Sequence, residues 1–214
     1  MPHCRSIALC AAGLLLGAAV LAAGCGDSKS KDFEQSQQPT KVLVNVPGTD
    51  AVVLPMSAAL AGDPIELARL TGYTQVACTT TGSAQPPAPS CPDGTADGTK
   101  VDSLALLGCQ GSWIGPELVP DAYRSADTGH PKLFAVYRPK RAFGVFGAEL
   151  GVEQVVVVQT DKRPDGTADG FALHIKHGRV VLLQNTCDAF LKLVDSAVVD
   201  SYIVDPANAP TTTP

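Results

Sequence analysis

Aromatic side chains and charges are scarce in this chain of 214 residues. Phe, Trp and Tyr make up 5% of it, with a single tryptophan, and charged residues make up 17%. Lysine and arginine do not cluster, and the densest basic run is the short one at residues 138–141. With 16 basic and 21 acidic residues the formal net charge is −5, which repels nucleic-acid phosphate and anionic headgroups. The composition therefore argues against nucleic acid as a partner.

Several catalytic and cofactor motifs are also missing. The sequence has no G-x-S-x-G nucleophile elbow, no H-E-x-x-H zinc helix, no C-x-x-C pair and no glycine-rich phosphate loop. We therefore predict no cofactor, and we favour a binding protein over an enzyme.

The chain does have a hydrophobic run at its start. Residues 6–21 are almost wholly apolar and follow a short segment that carries Arg5. Small residues then lead to Cys25, and polar residues come directly after it. This order is typical of a secretory signal with a small-residue cleavage site. The run is at the short end of the ~17–25 residues that cross a bilayer, and no stop-transfer charges follow, which disfavours a membrane-spanning helix.

Because this cleavage site ends on a cysteine, the segment resembles the signal of bacterial lipoproteins. The resemblance implies cleavage before Cys25 and attachment of lipid, palmitate included, to that residue. It implies an extracytoplasmic protein anchored to the bacterial cell membrane or outer membrane, and Gly26 disfavours retention at the inner membrane. The alternative is an ordinary signal peptide with a chance cysteine.

Composition divides the chain into four segments. We predict a removed signal at residues 1–24, the lipidated cysteine and a flexible polar tether at 25–41, a single folded domain at 42–204 and a disordered tail at 205–214. Removing the signal takes away Arg5 and no acidic residue, so the net charge becomes −6. The remainder is long enough to bury a core.

Four of the seven cysteines remain once the signal and the lipid site are set aside. An even number in an exported protein indicates disulfide bonds, here two bridges with three possible pairings. We favour one bridge that closes a Pro-rich loop and a second that ties the middle of the chain to its last third, namely Cys78–Cys91 and Cys109–Cys187.

Local signals predict helices early in the domain. An apolar run at residues 51–61 predicts a helix, and Pro55 within the run predicts that this helix begins near the proline or is kinked there. Asp63 suits the cap of a second helix, Pro64 its first position, and Glu66 completes a capping-box spacing.

Strands dominate the second half. The unbroken valines 155–158 predict a central strand covered on both faces. Residues 171–176 alternate and predict a half-buried strand, and His177 with Gly178 forms a two-residue turn to the next strand. Residues 188–202 have apolar positions at helical spacing and predict a closing helix. Together these predict an α+β domain with helices packed on a curved antiparallel sheet.

The stretch from Met56 to Leu70, a helix, a Gly-Asp break and a second helix, resembles the opening of nuclear-transport-factor-like (cystatin-like cone) domains. The resemblance implies a curved antiparallel sheet after the helices. It leaves function open, because that scaffold serves enzymes and binding modules alike.

One segment, Pro-Asp-Gly-Thr-Ala-Asp-Gly, occurs at residues 92–98 and again at 164–170. Its spacing matches the first half of an EF-hand loop, but position twelve is Leu104 in one copy and Lys176 in the other instead of glutamate. We favour two turns over calcium loops. The candidate calcium ligands are Asp93, Thr95, Asp97, Asp165, Thr167 and Asp169.

His174 is the one candidate general base. It shares a predicted strand face with Ala172 and Lys176, and a histidine on a concave sheet would titrate near neutral pH. Asp161, Asp188 and Glu149 are possible partners. Two functions therefore stay open: a lipid-anchored module that binds a small molecule or an envelope protein, and a cone-fold enzyme with a His/Asp base.

Overall fold

The computed structural model describes residues 48–81, 88–109, 111–127, 129–141, 144–161, 166–186 and 189–208. The predicted signal, Cys25, the tether and residues 42–47 of the predicted domain lie outside these ranges. The helices are α1 (Val53–Leu60), α2 (Pro64–Arg69) and α3 (Val119–Ala126). The strands are β1 (Thr74–Ala77), β2 (Lys100–Leu107), β3 (Ser112–Ile114), β4 (Lys132–Pro139), β5 (Gly144–Val145), β6 (Ala148–Glu149), β7 (Gln154–Gln159), β8 (Gly170–Lys176), β9 (Arg179–Asn185) and β10 (Val199–Val204).

Helix α2 begins where its sequence predicts. The Asp63 carboxylate accepts hydrogen bonds from the backbone N–H groups of Ile65 and Glu66 at 3.1 and 2.9 Å. A capping box has a second hydrogen bond, here from the Asp63 N–H to the Glu66 side chain, and this part of the prediction is wrong. Glu66 binds Arg69, and the Asp63 N–H donates to the backbone oxygen of Ala58. In α1, Pro55 is the third residue, where its missing N–H costs no helical hydrogen bond.

The main sheet has eight strands in the order β1-β2-β9-β8-β7-β4-β10, with β3 also paired to β2. The prediction of an antiparallel sheet is wrong at one junction, because β2 and β9 run parallel. A connection that carries α3 and several strands separates these two strands, so it is long enough to allow either direction. Strands β5 and β6 form a separate hairpin.

Apolar layers cover both faces of this sheet. The three helices pack on one face, with Met56, Leu67 and Tyr123 in that core. Phe190, Leu193 and Val145 belong to the core on the opposite face. Strand β8 is therefore buried on both sides, and the prediction that it is half-buried is wrong. Strand β7 is covered on both faces, as predicted, with all four valines 155–158 at 0% exposure.

The prediction of a closing helix over residues 188–202 is wrong. Phe190–Val194 form a 3-10 helix, and strand β10 follows it. Asp195 ends the helical turn, because its carboxylate accepts a hydrogen bond from the Ala197 N–H at 2.8 Å. The residues after it are rich in β-branched side chains and pair with β4 at the sheet edge. Edge pairing thus overrides the helical spacing of the apolar positions.

Candidate functional site

His174 lies in the core between β7 and β9, opposite Val155 and Leu182. Its side chain is 0% exposed, and its Nε2 donates a hydrogen bond of 2.8 Å to Oε1 of Gln184. Burial lowers its pKa from 6.5 to about 4, and the bond to Gln184 offsets only part of that effect. The imidazole is therefore neutral at neutral pH and has no direct access to a substrate in solution.

Two of the three carboxylates considered as partners for His174, Asp161 and Glu149, lie at exposed positions, whereas His174 is buried. Asp161 lies 3.2 Å from Nδ1 of His130 at an exposed position. Glu149 ends β6 and lines a surface groove. Asp188 lies outside the described residues.

In the first copy of the repeated segment, the last aspartate organises a turn. Asp97 accepts a hydrogen bond of 2.8 Å from the Thr80 N–H, and this bond keeps the pKa of its carboxyl below the usual range. Gly94 and Gly98 have positive φ of 77° and 81°, as these turns require.

In the second copy, the last aspartate makes equivalent contacts. Asp169 accepts hydrogen bonds from the Gly170 N–H at 2.9 Å and from the Thr186 hydroxyl at 2.6 Å. Among the described residues, no group of three or more His, Cys, Asp or Glu side chains could hold a metal ion. Asp165 lies outside these residues. In the described residues, Asp97 and Asp169 each accept hydrogen bonds from a backbone N–H and from a threonine hydroxyl 17 residues away.

The Pro-rich loop between β1 and β2 is closed by the predicted disulfide bond between Cys78 and Cys91. Backbone hydrogen bonds reinforce the closure, because the Cys91 N–H donates to Thr79 and the Cys78 N–H donates to Thr99. Cys187, the predicted partner of Cys109, lies outside the described residues.

A surface groove of about 540 Å³ lies beside the β8–β9 turn. We call it the hairpin groove. Its floor includes Leu150 and Val181, and its walls carry a phenol, a carboxylate and three basic side chains. It is lined by Gly72, Tyr73, Thr74, Glu149, Leu150, Lys176, His177, Arg179 and Val181.

The β8–β9 turn fixes the basic side chains of this groove. His177 and Gly178 have positive φ of 49° and 75°, which makes the tight two-residue hairpin that the sequence predicts. Lys176 and Arg179 are then directly opposite each other. The imidazole of His177 lies 3.0 Å from Oε1 of Glu153, whose Oε2 accepts from the His177 N–H.

Tyr73 supplies a neutral hydroxyl to the same groove. Partial burial raises the pKa of its phenol, and the nearby carboxylates of Asp102 and Glu117 raise it further. The hydroxyl therefore stays protonated at neutral pH and is available both to donate and to accept a hydrogen bond.

No known protein family matches this chain, and no curated protein or solved structure is significantly similar to it. The resemblance to cone domains thus rests on residues 56–70 alone. None of the helices in the described ranges has the length and apolar character needed to span a bilayer.

The sequence did not reveal the hairpin groove, because its walls come from distant segments. The turn was predicted, and in the structure it places Lys176 opposite Arg179. Nothing local indicates that Tyr73 and Glu149 lie at the same place. The backbone at Leu70–Gly72 pairs with the start of β9, which brings Tyr73 to the groove, whereas Glu149 comes from the separate β5–β6 hairpin.

Proposed function

We propose that this protein is an extracytoplasmic lipoprotein, held on a membrane by lipid on Cys25, whose α+β domain binds a small ligand or an envelope protein. The Cys78–Cys91 disulfide carries the proposal, because such bonds persist in oxidising compartments outside the cytoplasm. The apolar run and the small-residue cleavage site before Cys25 support the same location.

The binding role is supported by the hairpin groove. It combines an apolar floor with a few convergent polar groups, which is the usual make-up of a ligand site. A lipid anchor with two or more acyl chains would hold the domain stably on the membrane. The polar residues 26–41 would then act as a tether between that surface and the groove.

The anchor is tested by labelling producing cells with radioactive palmitate. We expect the wild-type protein to carry label and to sediment with membranes, and Cys25→Ser to lose all label. Cys10→Ser is the matched control, because that cysteine leaves with the signal, and it should keep the label. Label that persists in Cys25→Ser would contradict the anchor.

We further propose a second disulfide, Cys109–Cys187, which would tie the end of β2 to the end of β9. Digestion of the unreduced protein followed by mass spectrometry should yield one linked peptide pair for this bridge and another for Cys78–Cys91. Reduction before digestion should remove both. An alkylated, unlinked Cys187 peptide from protein that was never reduced would overturn the second bridge.

A further inference from the structure

We propose that the hairpin groove binds its ligand through an anionic group, a carboxylate or phosphate, held between Lys176 and Arg179. This inference rests on the proposed role of the domain as a binding module, and it specifies the chemistry of the ligand. Four observations on the groove support it.

The first observation is an uncompensated pair of like charges. Lys176 and Arg179 are register partners at the last position of the β8–β9 hairpin. Like charges directly opposite each other in a sheet are destabilising. In the described part of the chain no carboxylate lies within ion-pair distance of either one, and Glu153 binds His177 instead. An anion placed between the two cations would offset their repulsion.

The second observation is that glycines leave room for both cations. A Cβ atom on Gly151 would lie 3.0 Å from Nζ of Lys176, and one on Gly72 would lie 3.2 Å from Cβ of Arg179. Both contacts are tighter than ordinary van der Waals packing. The Lys176 ammonium and the start of the Arg179 side chain therefore lie close to the backbone at Gly151 and Gly72.

The third observation is that the Arg179 guanidinium is anchored at one nitrogen. Its Nη1 donates a hydrogen bond of 3.1 Å to the backbone oxygen of Arg69. The Arg69 side chain is itself bound to Glu66. A guanidinium has five N–H donors in a planar fork, so further donors of Arg179 can meet a carboxylate or phosphate.

The fourth observation limits the charge of the ligand. Glu149 is exposed and lines the same groove, so a second anionic group on the ligand would meet repulsion there. A donor group on the ligand, a hydroxyl or an amine, would instead bind this carboxylate. The ligand class is therefore a small molecule or chain segment with one anionic group and a polar, donor-bearing body.

The test is a ¹H–¹⁵N NMR titration of the full chain, purified in detergent from the cells that produce it. One arm adds sodium phosphate and the other adds sodium acetate, with sodium chloride keeping ionic strength constant. We expect saturable shifts of the amide signals of residues 176–179 in at least one arm, which also distinguishes phosphate from carboxylate. Lys176→Gln and Arg179→Gln should each weaken binding about tenfold, the usual effect of losing one charge-assisted hydrogen bond.

Lys132→Gln is the matched control, because it removes one positive charge at the far end of the sheet, where Lys132 pairs with Gln159. It should leave the affinity within about twofold, since exposed charges far apart are screened by salt. Glu149→Gln should strengthen binding by removing repulsion. The dispersion of each variant's spectrum reports whether it is folded.

Shifts that never saturate in either arm, or an equal loss of affinity in all three cation variants, would overturn the anion site. This outcome is separate from the palmitate experiment. A labelled protein without groove shifts contradicts the anion site alone, and an unlabelled protein with saturable shifts contradicts the anchor alone.

Discussion

Acidification from neutral pH to about pH 4 is expected to lower the free energy of unfolding by about 3 kcal/mol through His174 alone. The imidazole is completely buried among apolar side chains, where the charged form is poorly solvated. Its pKa is therefore about 4 in the folded protein and returns to its ordinary value, 6.5, when the chain unfolds.

The sign follows from proton uptake. Between pH 4 and 6.5 the unfolded chain binds a proton at this histidine and the folded protein does not, so acid favours unfolding. The contribution of His174 is complete above pH 6.5, declines as the pH falls and is lost below about pH 4. Carboxylates add their own pH dependence, so a comparison of variants is needed.

Urea unfolding of the double variant His174→Leu with Gln184→Leu measures this contribution, because it removes the titrating group without leaving its amide partner unpaired. Its stability should vary less between pH 6.5 and 4 than that of the wild type, by about 3 kcal/mol. Leu191→Gln is the control, since that side chain is 63% exposed and does not titrate, and it should keep the wild-type slope. Equal slopes for wild type and double variant would show that His174 is accessible to protons in the folded state.

Burial of His174 could not be predicted from the sequence, and the reason is physical. The alternation in β8 correctly separates the two faces of the strand, with Leu173 on one and His174 on the other. Whether the second face is exposed to solvent depends on Phe190 and Leu193. These residues cover that face and belong to a later segment of the chain. No periodicity within β8 contains that information.

Features set by near neighbours were predictable. The start of α2 follows from the cap at Asp63, and the β8–β9 turn follows from His177 and Gly178. Features that depend on pairing between distant segments could not be predicted. The parallel junction of β2 with β9 and the edge strand β10 both depend on which strand lies alongside. The hairpin groove belongs to this second group, because Tyr73 and Glu149 come to it from segments that are distant in the sequence.

The two copies of the repeated segment show the same contrast between features set by near neighbours and features set by distant segments. In both copies the last aspartate accepts hydrogen bonds from a backbone N–H and a threonine hydroxyl. Their last glycines nevertheless have different surroundings. Gly98 has a positive φ of 81° and open space around it, whereas Gly170 begins β8 and packs against β7 and Phe190. Identical heptapeptides are therefore expected to respond differently to the same substitution.

Gly170→Ala is expected to destabilise the protein by about 3 kcal/mol or more, the upper range for overpacking a core. A Cβ atom there would overlap the carbonyl oxygen of Val158 and lie 2.5 Å from Cε2 of Phe190. The Phe190 ring can rotate away, but the Val158 oxygen belongs to the backbone of a central strand. Relief of that contact requires β7 and β8 to separate, at the position where Gln159 pairs with Gly170.

Gly98→Ala is the matched substitution in the first copy. Nothing lies within 4 Å of its added methyl group, so its cost is confined to the left-handed backbone, about 1–2 kcal/mol. Urea unfolding of both variants under one set of conditions gives the comparison directly. Gly170→Ala should remain destabilising when Phe190→Leu is added, because the backbone contact persists. Equal stabilities for the two glycine variants would mean that β7 and β8 can move apart at this end without disturbing the core on either face.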